Sequence, residues 1–161
     1  NFDYFILRLD MGMKAINPAY GTKEEDINPE VREWKIPQMI IHTIIENEYK
    51  YAVNINQMLT ILIKASKADV NGEEMLYVEV EDDGAGYPKE VLQFFENQEN
   101  TISKTGERVG LKSVKRMMEL MYEREGLFTI SNIEPHGCKN TFRIPAHAVQ
   151  EMKEQKQIKM D

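Results

Sequence analysis

Hydrophobic and polar positions along this chain change period several times, and each change marks a predicted element. Residues 1–13 carry two periods at once. Leu7, Leu9, Met11 and Met13 alternate as in a strand, while Phe2, Phe5, Ile6 and Leu9 recur as on a helix face, so both assignments stay open. Asn17-Pro18 and Tyr20-Gly21-Thr22 punctuate the chain, and Lys23-Glu24-Glu25-Asp26 reads as a solvated turn or a weak edge strand. Pro37 stands where a proline suits the first turn of a helix, and Ile41, Ile44, Ile45 and Ala52 then fall at helical spacing. Thr43, Glu46, Asn47, Lys50 and Tyr51 recur on the opposite side, which predicts a helix with one apolar and one polar stripe.

Alternation over Leu59–Ala65 and Leu76–Glu81, with the turn dipeptide Asn71-Gly72 between them, predicts an antiparallel pair of strands. Residues 82–88 are punctuated by glycine, Pro88–Phe95 reads as a short helix, and 97–107 are polar without a period, a segment expected to be mobile. A second amphipathic helix is predicted from Val109 to Glu123, with Leu111, Val114, Met118 and Met121 on one face. Strands follow at 127–131 and 139–144, and the charged tail from Gln150 is expected to fray. Strands joined by a hairpin, together with two long helices, imply an α+β sandwich with helices on one face of a sheet. A doubly wound fold does not suit a strand pair that lacks a crossover helix. Residues 1–26 are read as a linker or the end of a preceding helix, 27–149 as one folded domain, and 150–161 as the tail.

Composition changes this picture in a few respects. With 161 residues and 42% of them apolar, the chain can bury one core. Its net charge of −7 argues against holding nucleic acid or an anionic membrane by bulk electrostatics, so an anionic ligand must be met by local chemistry. The single cysteine, Cys138, excludes an internal disulfide and a four-cysteine zinc site, and suits a cytosolic setting. The longest nearly unbroken apolar run, residues 39–45, is far short of the ~20 residues that span a bilayer. Asn1-Phe2-Asp3-Tyr4 does not open like a signal peptide, and the chain is read as a piece of something longer.

Three segments could carry chemistry. The polar stripe of the first helix sets a carboxylate, a carboxamide, an ammonium and a phenol on one face. The Asn47 oxygen suits a hard cation such as Mg²⁺, Glu46 could orient a metal-bound water, and Lys50 could neutralise a phosphate; an isolated stripe of this kind is otherwise a solvated face. Asp82-Asp83-Gly84-Ala85-Gly86, directly after a strand, lets the backbone turn sharply against a flat ligand, with a carboxylate placed to accept from an exocyclic amine. It offers too few oxygens for a helix–loop–helix calcium loop. Gly106–Leu111 opens a helix whose free N–H groups attract anions. Lys104, Arg108, Lys112, Lys115 and Arg116 against Glu107 give a local charge of +4, although the Walker spacing is absent. His42, His136 and His147 show no ligand spacing, and His42, within the apolar run, reads as a hydrogen-bonded core residue. No Gly-x-Ser-x-Gly nucleophile motif occurs, and Cys138 reads as a small buried residue.

Taken in order, these segments resemble the ATP-binding domain of the gyrase, Hsp90, histidine kinase and MutL superfamily, and within it the sensor histidine kinases of the LytS/YesM type. Ile36–Tyr51 is similar to the family's N box, I-P-P-x-x-x-Q-P-L-V-E-N-A-x-K-H. Asp82–Gly86 matches the G1 box, D-x-G-x-G, Val109–Arg116 resembles the G2 box, G-x-G-L-x-N-V-x-x-R, and Gly137-Cys138 with the strand ending at Pro145 resembles G-T-x-V-x-I-x-I-P. The resemblance covers roughly residues 27–146. It implies a two-layer α/β sandwich of the Bergerat type, with a mixed, mostly antiparallel sheet.

The same resemblance implies that Asn47 ligates Mg²⁺, that Glu46 and Lys50 set the phosphates and metal, and that Tyr51 flanks the nucleotide. Asp82 would receive the adenine N6 amine in a pocket shaped by Gly84 and Gly86, near Cys138. Residues 97–110 would form an ATP lid, with Arg108, Gly110 and Leu111 beside the phosphates. Departures from the family pattern are Arg108 for the first G2 glycine, Glu48 for alanine, Thr43 for proline, Tyr51 for histidine, Ser113 for asparagine and Cys138 for threonine. The Arg108 side chain either blocks close approach to phosphate or supplies a charge-assisted bond to it. The implied activity is transfer of the ATP γ-phosphoryl group to a histidine on an upstream dimerisation domain, with a response regulator as partner and a homodimeric, membrane-anchored parent whose ATP-binding domain is cytoplasmic. The alternative is a degenerate member that has lost ATP and acts as a signalling interaction module.

Overall fold

The computed structural model describes residues 6–8, 21–31, 34–37, 40–54, 59–96 and 109–145. Seven strands are present among them: β1 (Ile6–Arg8), β2 (Gly21–Ile27), β3 (Lys35–Pro37), β4 (Leu59–Val70), β5 (Glu73–Asp82), β6 (Phe128–Asn132) and β7 (Cys138–Pro145). Three α-helices accompany them: α1 (Ile40–Asn54), α2 (Lys89–Glu96) and α3 (Val109–Tyr122). The main sheet has the order β2-β4-β5-β7-β6, while β1 and β3 form a separate antiparallel pair. Every pairing in the main sheet is antiparallel except β2 with β4. This is the mixed, mostly antiparallel α+β architecture expected from the sequence. The polar run Lys23–Asp26 is the parallel edge strand, one of its two expected forms.

Two local expectations are corrected. Pro37 does not open the helix but ends β3, where it pairs with Ile6. A proline costs little at the end of a short strand because no continuing ladder needs its N–H. The β4–β5 hairpin is also longer than the alternation suggests. Asn71 and Gly72, both with positive φ, turn the chain in two residues, so Val70 faces Glu73 directly. Charge pairing rather than apolar alternation marks this extension: Lys67 meets Glu74 at 2.9 Å, and Arg124 holds both Glu73 oxygens at 2.8 and 2.9 Å.

Strand period places alternate residues on one face, and along β5 Leu76, Val78, Val80 and Asp82 are buried while Tyr77, Glu79 and Glu81 are half-buried. Register extends this inner face across the sheet. Leu76 faces Ile144, Val78 faces both Ala65 and Phe142, and Phe142 faces Phe128. The phenyl rings of Phe128 and Phe142 stack at 4.5 Å, and Phe95 of α2 meets Phe128 edge-on at 5.2 Å. Ile40, Ile41, Ile44 and Ile45 of α1 and Leu111, Val114 and Met118 of α3 complete the same core. Burying each large side chain stabilises by about 1.5–3 kcal/mol relative to exposure.

The inner face does not stay apolar to its end. The next row holds Val80 and Asn140, and the last holds Asp82, Cys138 and Asn132. The sheet is thus a hydrophobic floor over most of its length and a polar one where β5 stops.

Truncating the center of the apolar part has a defined expected effect. Phe142→Ala removes a fully buried ring that stacks on Phe128, and should cost about 3–5 kcal/mol. Urea unfolding should show this as a lower midpoint with an unchanged slope.

Candidate functional site

Helix α1 crosses the polar end of the sheet, and its sequence explains the contact. Ile40, Ile41, Ile44 and Ile45 form a buried stripe, and Glu48, four residues after Ile44, continues that stripe with only 4% exposure. An acid thus occupies a position that helical periodicity assigns to the core. Its Oε1 accepts a hydrogen bond from the Tyr87 hydroxyl at 2.8 Å, and its Oε2 lies 3.7 Å from the Cys138 sulfur. The Tyr87 hydroxyl also sits within hydrogen-bond distance of Asn140 Oδ1. The Asn140 amide is oriented by its Nδ2 donating to the Val80 carbonyl at 3.1 Å. A phenol has one proton and serves one of its two acceptors at a time.

Asp82, at the end of β5, is 8% exposed. Burial of a carboxylate demands donors, and two are present: the Gly84 N–H reaches Oδ1 at 2.9 Å and the Cys138 thiol reaches Oδ2 at 2.8 Å. The adjacent Asp83 points the other way. Its side chain is exposed and accepts from the Thr60 N–H at 2.8 Å, while its carbonyl meets His136 Nδ1 at 2.9 Å. Of the two successive aspartates, only Asp82 therefore faces the interior. Burial, reinforced by the negative carboxyls of Glu48 and Asp82, pushes the Cys138 thiol far above its ordinary pKa, so it remains a neutral S–H donor.

Glycine is a steric requirement at two points. A Cβ on Gly137 would come within 2.3 Å of the Asp82 carbonyl oxygen, and Gly137 adopts φ +112°. Gly86, with φ +87°, would bring a Cβ within 2.9 Å of Asn132 Oδ1 and 3.0 Å of the Gly137 carbonyl. Gly84 is buried and serves through its N–H.

Thr43, the first residue of the polar stripe of α1, lies beside α3. A Cβ on Gly110 would touch Thr43 at 3.5 Å, which places the start of α3 one helical turn from Asn47. Asn47 is half-buried, and its Nδ2 is buried without a partner among the described residues. As the second and third residues of α3, Gly110 and Leu111 have N–H groups with no intrahelical acceptor. The Leu111 side chain itself belongs to the core.

The remaining expected positions are distributed differently. Glu46 is exposed and 3.7 Å from His42 Nε2 on the same helix. His42 is also exposed, which corrects its expected place in the core: it falls between the buried Ile41 and Ile44, on the outer side of α1. Lys50 and Tyr51 lie one turn beyond Asn47 in the α1 backbone; their side chains, and residues 97–108 of the expected lid 97–110 with Arg108 among them, lie outside the described residues. Two of the five cations counted near α3 contact α2: Lys115 donates to the Phe95 carbonyl at 2.8 Å, and Lys112 sits 4.3 Å over the Phe94 ring. Sequence reasoning missed Tyr87, Asn132 and Asn140 and treated Glu48 only as a departure. The usable signal was Glu48, an acid in line with four isoleucines.

Comparison with known proteins bears on the family and the fold. Residues 35–148 match the profile of the family described as histidine kinase-, DNA gyrase B- and HSP90-like ATPase. The sensor protein LytS of Enterococcus faecalis is 28% identical over 123 residues, which is 74% of this chain and 20% of that protein. The chain thus spans about a fifth of this curated relative. The nucleotide-free catalytic domain of histidine kinase ThkA aligns with TM-score 0.59 and 17% identity, covering 88% of this chain and 96% of that one. The same kinase has been solved in complex with the response regulator protein TrrA. Full-length ShkA in complex with AMPPNP aligns with TM-score 0.58 and 19% identity, covering 85% of this chain and 29% of that one.

Two outcomes test the local geometry. Gly137→Ala should destabilise the domain by roughly 3 kcal/mol, because the backbone strain adds to a collision with Asp82, whereas Gly72→Ala, with open space around its Cβ, should cost about 1 kcal/mol; urea unfolding of both separates strain from collision. Alkylation of Cys138 at pH 8, followed by mass spectrometry, should be at least ~100-fold slower in the native domain than in the unfolded chain, since only the thiolate reacts.

Proposed function

Because this chain belongs to the histidine kinase-, DNA gyrase B- and HSP90-like ATPase family, we propose that it is the ATP-binding catalytic domain of a two-component sensor histidine kinase. The observation that carries the reading is the buried Asp82 carboxylate at the polar end of the sheet, ringed by Gly84, Gly86 and Gly137 and faced by the N-box helix. A carboxylate there accepts from an exocyclic amine, and the glycines let the loop fold closely against the end of the sheet that carries Asp82. Asn47 and the first amides of α3 fall on the phosphate side. The Asn47 Nδ2, buried without a partner among the described residues, is a donor and fits a phosphate oxygen on that side.

In this reading Asp82 fixes the base, Gly84 and Gly86 shape its pocket, and Cys138 keeps Asp82 oriented through its S–H. Asn47 presents its carboxamide oxygen to Mg²⁺, a hard cation that neutralises phosphate charge when bound. The free N–H groups of Gly110 and Leu111 orient the phosphates. Glu46, Lys50, Tyr51 and Arg108 are assigned to the same side from the motif resemblance. Catalysis of this kind is mainly positioning and charge stabilisation.

The phosphoacceptor histidine is assigned to an upstream dimerisation domain, because none of the histidines here sits in such a context. A response regulator is the proposed downstream partner, in line with the ThkA–TrrA complex. A homodimeric, membrane-anchored parent belongs to the same proposal. No helix among the described residues is long and apolar enough to cross a membrane.

A second reading, an interaction module that has lost ATP, draws on the fact that both Asp82 oxygens already accept hydrogen bonds within the protein. Each carboxylate oxygen still has a further lone pair, so the structure favours the first. Titration with a fluorescent ATP analogue, with and without Mg²⁺, separates them. The expected result is saturable binding, weakened about 10- to 100-fold by Asp82→Asn as a charge-assisted hydrogen bond is lost, and an altered Mg²⁺ requirement in Asn47→Asp. Absence of saturable binding at millimolar nucleotide would overturn the kinase reading.

A further inference from the structure

The regular ladders that surround the base site all stop at one row. Asp82 faces Cys138, Cys138 faces Asn132, and neither β5 nor β6 continues beyond. The loop from Asp83 to Tyr87 therefore leaves the sheet with no strand partner, yet it carries both glycines of the proposed base pocket. Among the described residues, the side chain of Asn132 supplies the missing pairing. Its Oδ1 accepts from the Tyr87 N–H at 2.6 Å, and its Nδ2 donates to the Tyr87 carbonyl at 2.9 Å. The two contacts fix the orientation of the amide, because the backbone N–H needs an acceptor and the carbonyl needs a donor. A carboxamide used in this way does the work of one residue of a neighbouring strand.

Two further observations point to the same function. Gly86 precedes the clamped residue, and a Cβ there would press on the Asn132 amide itself at 2.9 Å. The second glycine of the Asp-x-Gly-x-Gly motif is thus what lets Asn132 reach the loop. The other end of Tyr87 is held separately, with its phenol donating to Glu48 on α1 beside Asn140 of β7. Tyr87 is stapled by its main chain to β6 and by its ring to the helix that carries Asn47.

We propose that Asn132 is a positioning residue for the base side of the nucleotide site, acting through a two-point amide clamp on Tyr87 that holds the Gly84–Gly86 loop in register with Asp82. This rests on the nucleotide-binding reading above. Asn132 is exposed at the end of an edge strand, so removing its amide leaves the core intact and frees the loop.

The test compares wild type with Asn132→Ala and Asn132→Asp, the latter keeping the acceptor for the Tyr87 N–H and losing the donor to its carbonyl. In the ligand-free domain, amide exchange of residues 84–87 should rise about tenfold or more in Asn132→Ala, while exchange in β5 and β7 stays unchanged. Affinity for an ATP analogue should fall about tenfold, the weight of two neutral hydrogen bonds. Binding of the matching GTP analogue should change by less than about twofold, so the preference for adenine collapses. Asn132→Asp, which sets a carboxylate oxygen against the Tyr87 carbonyl in place of the donor, should lose at least as much as Asn132→Ala. Unchanged exchange and affinity in Asn132→Ala, against saturable wild-type binding, would overturn the clamp alone. Equal losses for both nucleotides would also overturn it, in favour of a general structural role. Wild type that binds neither nucleotide overturns the nucleotide reading and the clamp with it. Tyr87→Phe, which removes the hydroxyl and its contacts with Glu48 and Asn140, should weaken the ATP analogue in the same direction.

Discussion

A carboxylate cannot be buried unless donors are brought to it, and the organisation of this domain around Asp82 follows from that requirement. The Gly84 N–H must curl back to one oxygen, which bends the chain as soon as β5 ends. The thiol of Cys138 must lie beside the other, which requires β7 to begin directly opposite. That register in turn presses Gly137 against the Asp82 carbonyl so closely that no side chain fits. One buried charge thus accounts for a turn, a strand start and a glycine. The hydrophobic rows of the sheet set how firmly these parts are held, but they do not choose the place.

The polar end is also where the helical layer differs from the rest of the core. Along α1 the buried stripe passes from isoleucine to Glu48 at the point where the sheet beneath passes from Val78 and Phe142 to Asp82 and Cys138. Polar groups meet polar groups across the layer, and the hydrogen bond from Tyr87 to Glu48 closes the seam. An acid at this position needs its partners in place, since a buried polar group left without them costs about 1–3 kcal/mol. The seam therefore ties the geometry of the base side to that of the helix bearing Asn47.

Much of this was legible from residue patterns. The hairpin, the two long helices and the α+β layering followed from periodicity, and Asp82 with its glycines stood out because a strand runs straight into them. Other features were not legible, for physical reasons. Pro37 suits either a helix start or a strand end, and only pairing with Ile6 decides. His42 lies among isoleucines in sequence, but a helix turns 100° per residue, so one position in an apolar run can face water. Lys112 and Lys115 add to a local charge count, yet their direction depends on where α2 ends. Asn132 and Asn140 look like ordinary strand residues until register sets them beside the loop.

The contact between Lys115 and the Phe95 carbonyl has a consequence for the chain between α2 and α3. The ammonium satisfies the last turn of one helix from the middle of the next, and Lys112 reinforces it on Phe94. The two anchor points of the connecting segment are therefore fixed to each other by residues outside it. The mutual position of α2 and α3 thus rests on contacts that the two helices make with each other.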